Sequence, residues 1–395
     1  MKHAHSILIT SALALFISAC SQPEDVKPSV LAPQFGTADK DTSIAVAGAP
    51  VGGSYTLSRQ FGYVGNYDSY YYKVILSRYA SSGSQLWTRD IDTLEESTDT
   101  SDYPALNAAG VGADSSGNAY VLSDKRQVFQ DYATSATYKV TVQDASGQLK
   151  RSFSVGRVMW SFSDTEAVPD IAVDVGGSTY VSIQQATINS DNFSFSTANL
   201  IRKYSSAGSL VWERPSSVGV PTGVAVSSDG SVYVAGRSGL ARYNSSGTLL
   251  WKKSGFYNGV AVSGSSIHAY NKNTVYRFSS RGQPQWSSFM GGLNGAIIQD
   301  LSGDGSGGVL VSGKYIAGTG NWNAFVRKVS AIGSSQWTST YGTPAFDDAQ
   351  GIVAINGREA YVTGTTLGAL AHPNKGEEDG YVRKLGVAGK PIWTR

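Results

Sequence analysis

Cysteine is almost absent from this chain of 395 residues, in which Cys20 is the only one. No pair exists to form an internal disulfide, and a thiolate metal cluster cannot be assembled. Histidine is nearly as scarce: four in all, with His3 and His5 at the extreme N-terminus. The remaining two, His268 and His372, cannot build a histidine-rich zinc site. No Ser-His-Asp arrangement is legible either. Charge is sparse at 16% of residues, and the formal net charge of +2 predicts neither nucleic-acid binding nor a polyanionic partner. Long helical patterns are missing beyond the N-terminus. What the chain has instead is 45 glycines, 22 tyrosines and much serine, threonine and valine. Glycine and serine serve tight turns, and Tyr, Val and Thr suit pleated strands, so the composition predicts an all-β protein. A hydrophobic fraction of 41% is enough for a sizeable core.

The N-terminus reads as an export signal, with Lys2 ahead of an apolar run from Ile7 to Ile17 that is short for a membrane span. Ile17, Ser18, Ala19 and Cys20 follow, and this tetrad resembles the bacterial lipobox. The resemblance implies a signal peptide over 1–19 and a cysteine that is acylated, palmitate included, and becomes the mature N-terminus. Two or three acyl chains give stable anchoring. Acylation would leave no thiol for redox or metal chemistry. Ser21 is not the aspartate that signals inner-membrane retention, so the outer membrane is favoured in a cell with two. Pro23, Pro28 and Pro33 make 20–40 an extended tether.

The rest of the chain, 41–395, is repetitive. A glycine followed four residues later by tryptophan occurs at Gly83 and Trp87, Gly208 and Trp212, Gly247 and Trp251, Gly282 and Trp286, Gly333 and Trp337, and Gly389 and Trp393. A degenerate copy has Gly147 and Arg151. Five residues before the glycine stands Arg78, Lys203, Arg242, Arg277, Lys328 or Lys384, with Val142 as the exception. Upstream lies a second pattern, an apolar run, a Gly/Asp/Ser turn and a second run with Tyr-Val, as in GVAVSSDGSVYVAG from Gly223. Each pattern is a hairpin. Seven four-stranded units of this kind suit a β-propeller, where radial repetition hides the sheet edges. Each unit holds its strands, here named a to d from the axis outward, in sequence order. Ring closure is then expected from packing of blade seven on blade one, with no shared sheet.

Blade four, GVAVSSDGSVYVAGRSGLARYNSSGTLLWKKSG, resembles an NHL-type blade. Blades six and seven, with NAFVRKVSAIGSSQWTSTYG and DGYVRKLGVAGKPIWTR, resemble the bacterial seven-bladed propeller repeat of cell-surface proteins. The resemblance implies a propeller in the cell envelope and says little about a ligand, because such folds host many functions.

The tryptophans are expected between the outer strands of adjacent blades, each indole N–H meeting a carbonyl. Stacking of a quinone on them is the sharper alternative, but no accompanying calcium and acid constellation is visible, and no cofactor is expected. The strand-c cations are expected at carbonyls or acids of the seams. His268 takes the place of the strand-b tyrosine, so a core or seam position is expected, and His372, before Pro373, is expected in solvent. Asp300, Ser302, Asp304 and Gly305 resemble the start of an EF-hand loop, yet the twelfth position is Val311, and the stretch falls on an a–b turn. Asp347 and Asp348 are read as solvated loop acids, with calcium binding as the alternative. No metal site is assigned.

The a–b and c–d turns of a blade lie on one face of the disc, and the b–c and d–a connections on the other. The first set is short throughout. Long b–c loops are expected at 61–72, 123–136, 184–199, 314–323 and 365–380, and long d–a loops at 90–107 and 153–170. One face is therefore plain and the other is built up over blades six, seven, one, two and three. Binding residues concentrate on such loops. The candidates are Tyr63, Tyr67, Tyr70, Tyr71, Trp160 and Trp322, with Tyr72, Phe129, Tyr132, Phe193 and Phe195 nearby. Alternation means that some of Tyr70 to Tyr72 must face the core.

These features predict a non-catalytic envelope lipoprotein that binds or scaffolds a protein or glycan, held to a membrane by lipid and without nucleic-acid partners. The alternatives are a propeller lyase or hydrolase using carboxylates, and a subunit that assists outer-membrane assembly.

Overall fold

The computed structural model describes residues 40–50, 52–64, 69–97, 105–129, 133–160, 169–189, 194–318, 320–355 and 357–395. The stretches read above as signal peptide and tether, with Cys20, lie outside the described residues up to residue 39. Among those described, twenty-eight strands form seven four-stranded antiparallel sheets, each in chain order. Blade four is the most regular, with strand a at Pro221–Val226, b at Val232–Gly236, c at Gly239–Tyr243 and d at Leu249–Lys253. No helix of the described residues is long and apolar enough to cross a membrane.

Position in the blade explains composition. Strand a is covered on both faces, so it is a run of small apolar residues instead of an alternation. Its backbones come close: a Cβ built on Gly223 in blade four would lie 3.0 Å from the Cα of Gly259 in blade five. Strand d faces solvent on one side and alternates accordingly, as Gln336 to Tyr341 of blade six do.

Ring closure follows the expectation. Blade one owns its first strand, Lys40–Gly48, and blade seven owns its last, Pro391–Thr394. Asp41 N donates to Glu378 O at 2.8 Å across the seam, and the hydroxyls of Ser43 and Thr363 bond to each other, but no strand is exchanged.

The loop expectation needs correcting. In blade one, 61–72 is mostly strand: b runs Ser54–Val64 and c Ser69–Tyr79. In blade two, b is Ala119–Phe129 and c Ala133–Gln143; in blade three, b is Thr179–Asn189 and c Ser194–Tyr204. These strands have 11 residues each, against five in b and c of blade four. The d–a stretches are partly strand too, since d reaches Ser97 in blade one and Trp160 in blade two. The added residues extend the ladders, because alternating Tyr, Val, Thr and Phe pair across a hairpin as readily as in the disc. Three neighbouring blades thus carry a crown of long hairpins. Blades six and seven contribute shorter connections, at 317–321 and 367–378.

Candidate functional site

The repeat residues form the seams. Trp87 Nε1 donates to Ala145 O (3.0 Å), Trp212 to Ser245 O (3.0 Å), Trp251 to Ser280 O (2.9 Å), Trp286 to Ala331 O (2.9 Å) and Trp393 to Ser81 O (3.1 Å). Each acceptor belongs to the c–d turn of the next blade. The glycine of that turn lies on the indole, in the left-handed region with φ between 75° and 89°, so the glycine and the tryptophan of the motif serve two different seams. In blade two the apparent gap at Arg151 is filled two residues later: Phe153 lies under Gly208, and Arg151 sits over the ring of Tyr120 at 6.0 Å.

The strand-c cations reach the same seams. Arg242 donates to Ser280 O at 2.9 Å and lies 5.7 Å from the centre of the Tyr233 ring. Arg78 and Arg277 donate to Ala145 O and Ala331 O. A tyrosine on b, a cation on c and a tryptophan on d therefore stack across the blade. His268 occupies the tyrosine position of blade five. It is fully buried, its ring centre is 5.7 Å from that of Trp286, and burial holds its pKa down at about 3.

The acids are enclosed. Asp304 forms the a–b turn of blade six, accepting from Ser306 N (2.8 Å) and Gly308 N (2.9 Å). Asp300 lies on strand a and accepts from Leu301 N (2.7 Å) and Ile352 N (2.8 Å). The two therefore serve different backbone partners, as a turn and a seam. Asp170 repeats the second arrangement with Ile171 N and Val224 N, both at 2.8 Å, and burial pushes its pKa up to about 8. Asp347 and Asp348 are not solvated, contrary to expectation. Asp347 accepts from Thr343 N and Thr366 Oγ1, both at 2.5 Å. Asp348 accepts from Thr365 N at 3.0 Å and Gln299 Nε2 at 3.2 Å, and burial raises its pKa. Two carboxylates adjacent in sequence are buried here because strand-end hydroxyls and amides satisfy them. His372 is half-buried. Among the described residues, no group of three His, Cys, Asp or Glu side chains is placed to hold a metal ion.

The crown brings some aromatic candidates together. Register places Tyr63 opposite Tyr70 and Phe61 opposite Tyr72, so all four share one face of the hairpin. Phe61 lies 5.3 Å from Tyr63 and 4.8 Å from Tyr72, and Tyr70 lies 5.7 Å from Tyr72. Tyr70 is buried at 7% exposure, whereas Tyr63 is 48% exposed. Tyr71 points to the other face, with Lys73 Nζ 5.6 Å from its ring centre. Arg59 belongs to the first face and donates to Asn107 Oδ1 of blade two at 2.7 Å, tying the hairpin to its neighbour. Trp322 starts strand c of blade six and forms a separate cluster, Lys314 Nζ lying 5.2 Å from its ring centre and 4.9 Å from that of Phe346. Tyr67, Tyr132 and Phe193 lie outside the described residues, as do the side chains of Phe129, Trp160 and Phe195. The cation position of Arg59, which packs blade one on blade two, carries no sequence signal that separates it from surface arginines.

No curated protein matches this sequence. Among solved structures, the WD40 domain of Pan2 from Neurospora crassa aligns with a TM-score of 0.48 and 10% identity over 92% of this chain and 94% of that one. The C-terminal WD40 domain of Sif2 gives 0.47 and 9% over 89% and 97%. XC5397 from Xanthomonas campestris, titled a gluconolactonase, gives 0.39 and 14% over 74% and 92%. Residues 197–363, from strand c of blade three to strand b of blade seven, match the family model described as PQQ_2, outer membrane protein assembly factor BamB.

Proposed function

We propose that this chain is a non-catalytic scaffold of the bacterial cell envelope, anchored through acyl chains on Cys20, which holds a protein partner on the crown of blades one to three. The observation that carries this reading is the crown itself: long hairpins on three adjacent blades, that of blade one bearing an aromatic cluster with exposed Tyr63. Rigid aromatic area with a polar rim is the usual material of a protein interface. The family match over 197–363 supports a partner that takes part in outer-membrane assembly, and the lipobox supports an anchored position beside it. The carboxylates Asp170 and Asp300, which face the interior as catalytic acids would, are occupied by main-chain N–H donors, which favours the scaffold over the hydrolase or lyase reading.

The test is photocrosslinking in living cells from a benzophenone amino acid placed at Tyr63, and for comparison at Ser228 in the a–b turn of blade four. A discrete protein adduct from Tyr63, absent from Ser228, is expected. An adduct pattern shared by both positions, or none from Tyr63, overturns the assignment of the crown.

A further inference from the structure

Of the six seams that carry a strand-d tryptophan, five close with an indole N–H donating to a turn carbonyl. The sixth, between blades six and seven, does not: Trp337 has no acceptor among the described residues. The cause is local. The 386–390 turn keeps the two main-chain bonds of its counterparts, Gly386 N to Lys390 O at 2.8 Å and Gly389 N to Gly386 O at 3.1 Å. However, Ala388 has φ 61°, and only Lys272 shares a positive φ among the described non-glycine residues. A positive φ at this turn position belongs to type II geometry, in which the central peptide is turned over relative to type I. That peptide carries the Val387 carbonyl, the counterpart of Ser81 O and Ala331 O.

Two further differences set this seam apart. Gly389 lies over the Cε3 and Cζ3 edge of Trp337, whereas Gly83 lies over Cδ2 and Cε2 of Trp393, nearer the indole nitrogen. On strand b, Leu310 stands opposite Lys328, where Tyr233 stands opposite Arg242 and His268 opposite Arg277. The result is a cleft of about 290 Å³ lined by Leu310, Lys328, Trp337, Arg358, Val387 and Ala388. Lys328 is held by Gly357 O at 2.9 Å and Asp304 Oδ2 at 3.4 Å. The side chain of Arg358 at the rim has no partner among the described residues, and the residue is exposed.

We propose that this cleft binds an extended peptide segment of a partner protein. The segment presents a main-chain carbonyl to Trp337 Nε1, a small apolar side chain to Leu310 and Val387, and a carboxylate to Arg358. The occupant is read from the other seams, where the same donor meets the main chain of Ala145, Ser245, Ser280, Ala331 or Ser81. An L-residue held in the left-handed region is unfavourable and persists only where its surroundings impose it. Here it keeps a donor open that the fold otherwise closes. The cleft is on the turn face, away from the crown, so its failure would leave the proposed function intact.

Two variants isolate the feature. Trp337→Phe removes the N–H and keeps the ring. Gly386→Ser, Val387→Ala, Ala388→Ile and Lys390→Ser together install the blade-six turn Ser330–Ser334 around the retained Gly389 and restore the carbonyl. In ¹⁵N spectra, the Trp337 indole proton should exchange with water faster than those of Trp87, Trp212, Trp251, Trp286 and Trp393, and the turn variant should slow it. Phage-displayed random heptapeptides panned on the protein should yield binders with a small residue beside an acidic one. These binders should be lost on the turn variant and weakened about fivefold by Trp337→Phe, the effect of one neutral hydrogen bond. Slow exchange at Trp337, absence of enriched peptides, or peptides that bind the turn variant equally well would overturn the proposal. So would N-acetylglycine alone shifting the Trp337 resonance as far as the peptides do, which would identify a small-carboxylate site.

Discussion

Gly83 of blade one and Trp393 of blade seven are in contact: a Cβ built on Gly83 would lie 2.9 Å from the indole Cδ2. Trp393 also donates to Ser81 O, and Arg395 Nε to Gly83 O at 3.1 Å. The last seam is closed by the same lock as four others. Gly83→Ala combines a strained φ of 89° with a collision against a ring that is itself fixed. The expected loss is roughly 2–4 kcal/mol. Gly292→Ala, at φ 80° with nothing within 4 Å, isolates the backbone part and should cost only about 1–2 kcal/mol. Urea unfolding of both variants checks this; equal losses would mean that the contact with Trp393 contributes nothing.

His268 makes the fold sensitive to acid. Its pKa falls from 6.5 to about 3 on folding, first because burial disfavours the cation and then through Arg277. Below pH 6.5 the unfolded chain gains a proton that the folded chain refuses, so stability drops as pH falls from 6.5 towards 3 and the effect levels off below that. Each unit of separation is worth about 1.4 kcal/mol, so the full effect reaches several kcal/mol. His268→Tyr installs the residue found at Tyr55, Tyr120, Tyr180, Tyr233 and Tyr361 and should flatten this limb. The urea midpoint between pH 7 and pH 4, followed for both proteins, should diverge; parallel curves would refute the assignment.

Asp170 acts with the opposite slope. The unfolded carboxyl loses its proton near 3.8 while burial keeps it on the folded one up to about 8, so stability falls as pH rises through that window. Asp170→Asn should remove this slope. It should also cost about 1–3 kcal/mol, because one amide oxygen cannot accept from both Ile171 N and Val224 N. An unchanged slope in the variant would show that other groups produce it.

Cys20→Ala should abolish incorporation of a fatty-acid analogue and leave the protein unprocessed or released. Retained label in that variant would remove the anchor from the proposed function.

Blade number, strand order and the seam position of Trp87, Trp212, Trp251, Trp286, Trp337 and Trp393 were legible because each blade repeats the same short-range chemistry. The pairing of each tryptophan with the glycine of the next blade was not, since spacing within a repeat cannot say which copy a side chain meets. Phe153 was hidden for the same reason: it fills the seam from a position where the motif has none. The crown was misread as loops because a hairpin prolonged beyond the disc has no break in its alternation to mark where the blade ends. Burial of Asp347 and Asp348 depends on Thr343, Thr365 and Thr366, which converge only in three dimensions. Leu310 offered a readable signal, the one apolar aliphatic among the strand-b aromatics, but the flipped turn at Ala388 had none.

Since every seam packs an aromatic ring on a turn glycine and, among the described residues, none exchanges a strand, no seam is privileged as the place where the polypeptide must be open. A circular permutant that joins Arg395 to Lys40 through a connection like that between Pro215 and Pro221, and opens instead between blades three and four, keeps all seven ring–glycine contacts. Its ends would lie on the far side of the ring from the natural junction. An anchor attached there would turn the crown through nearly half a revolution relative to the membrane, so the orientation of the disc can be varied experimentally without altering a single blade.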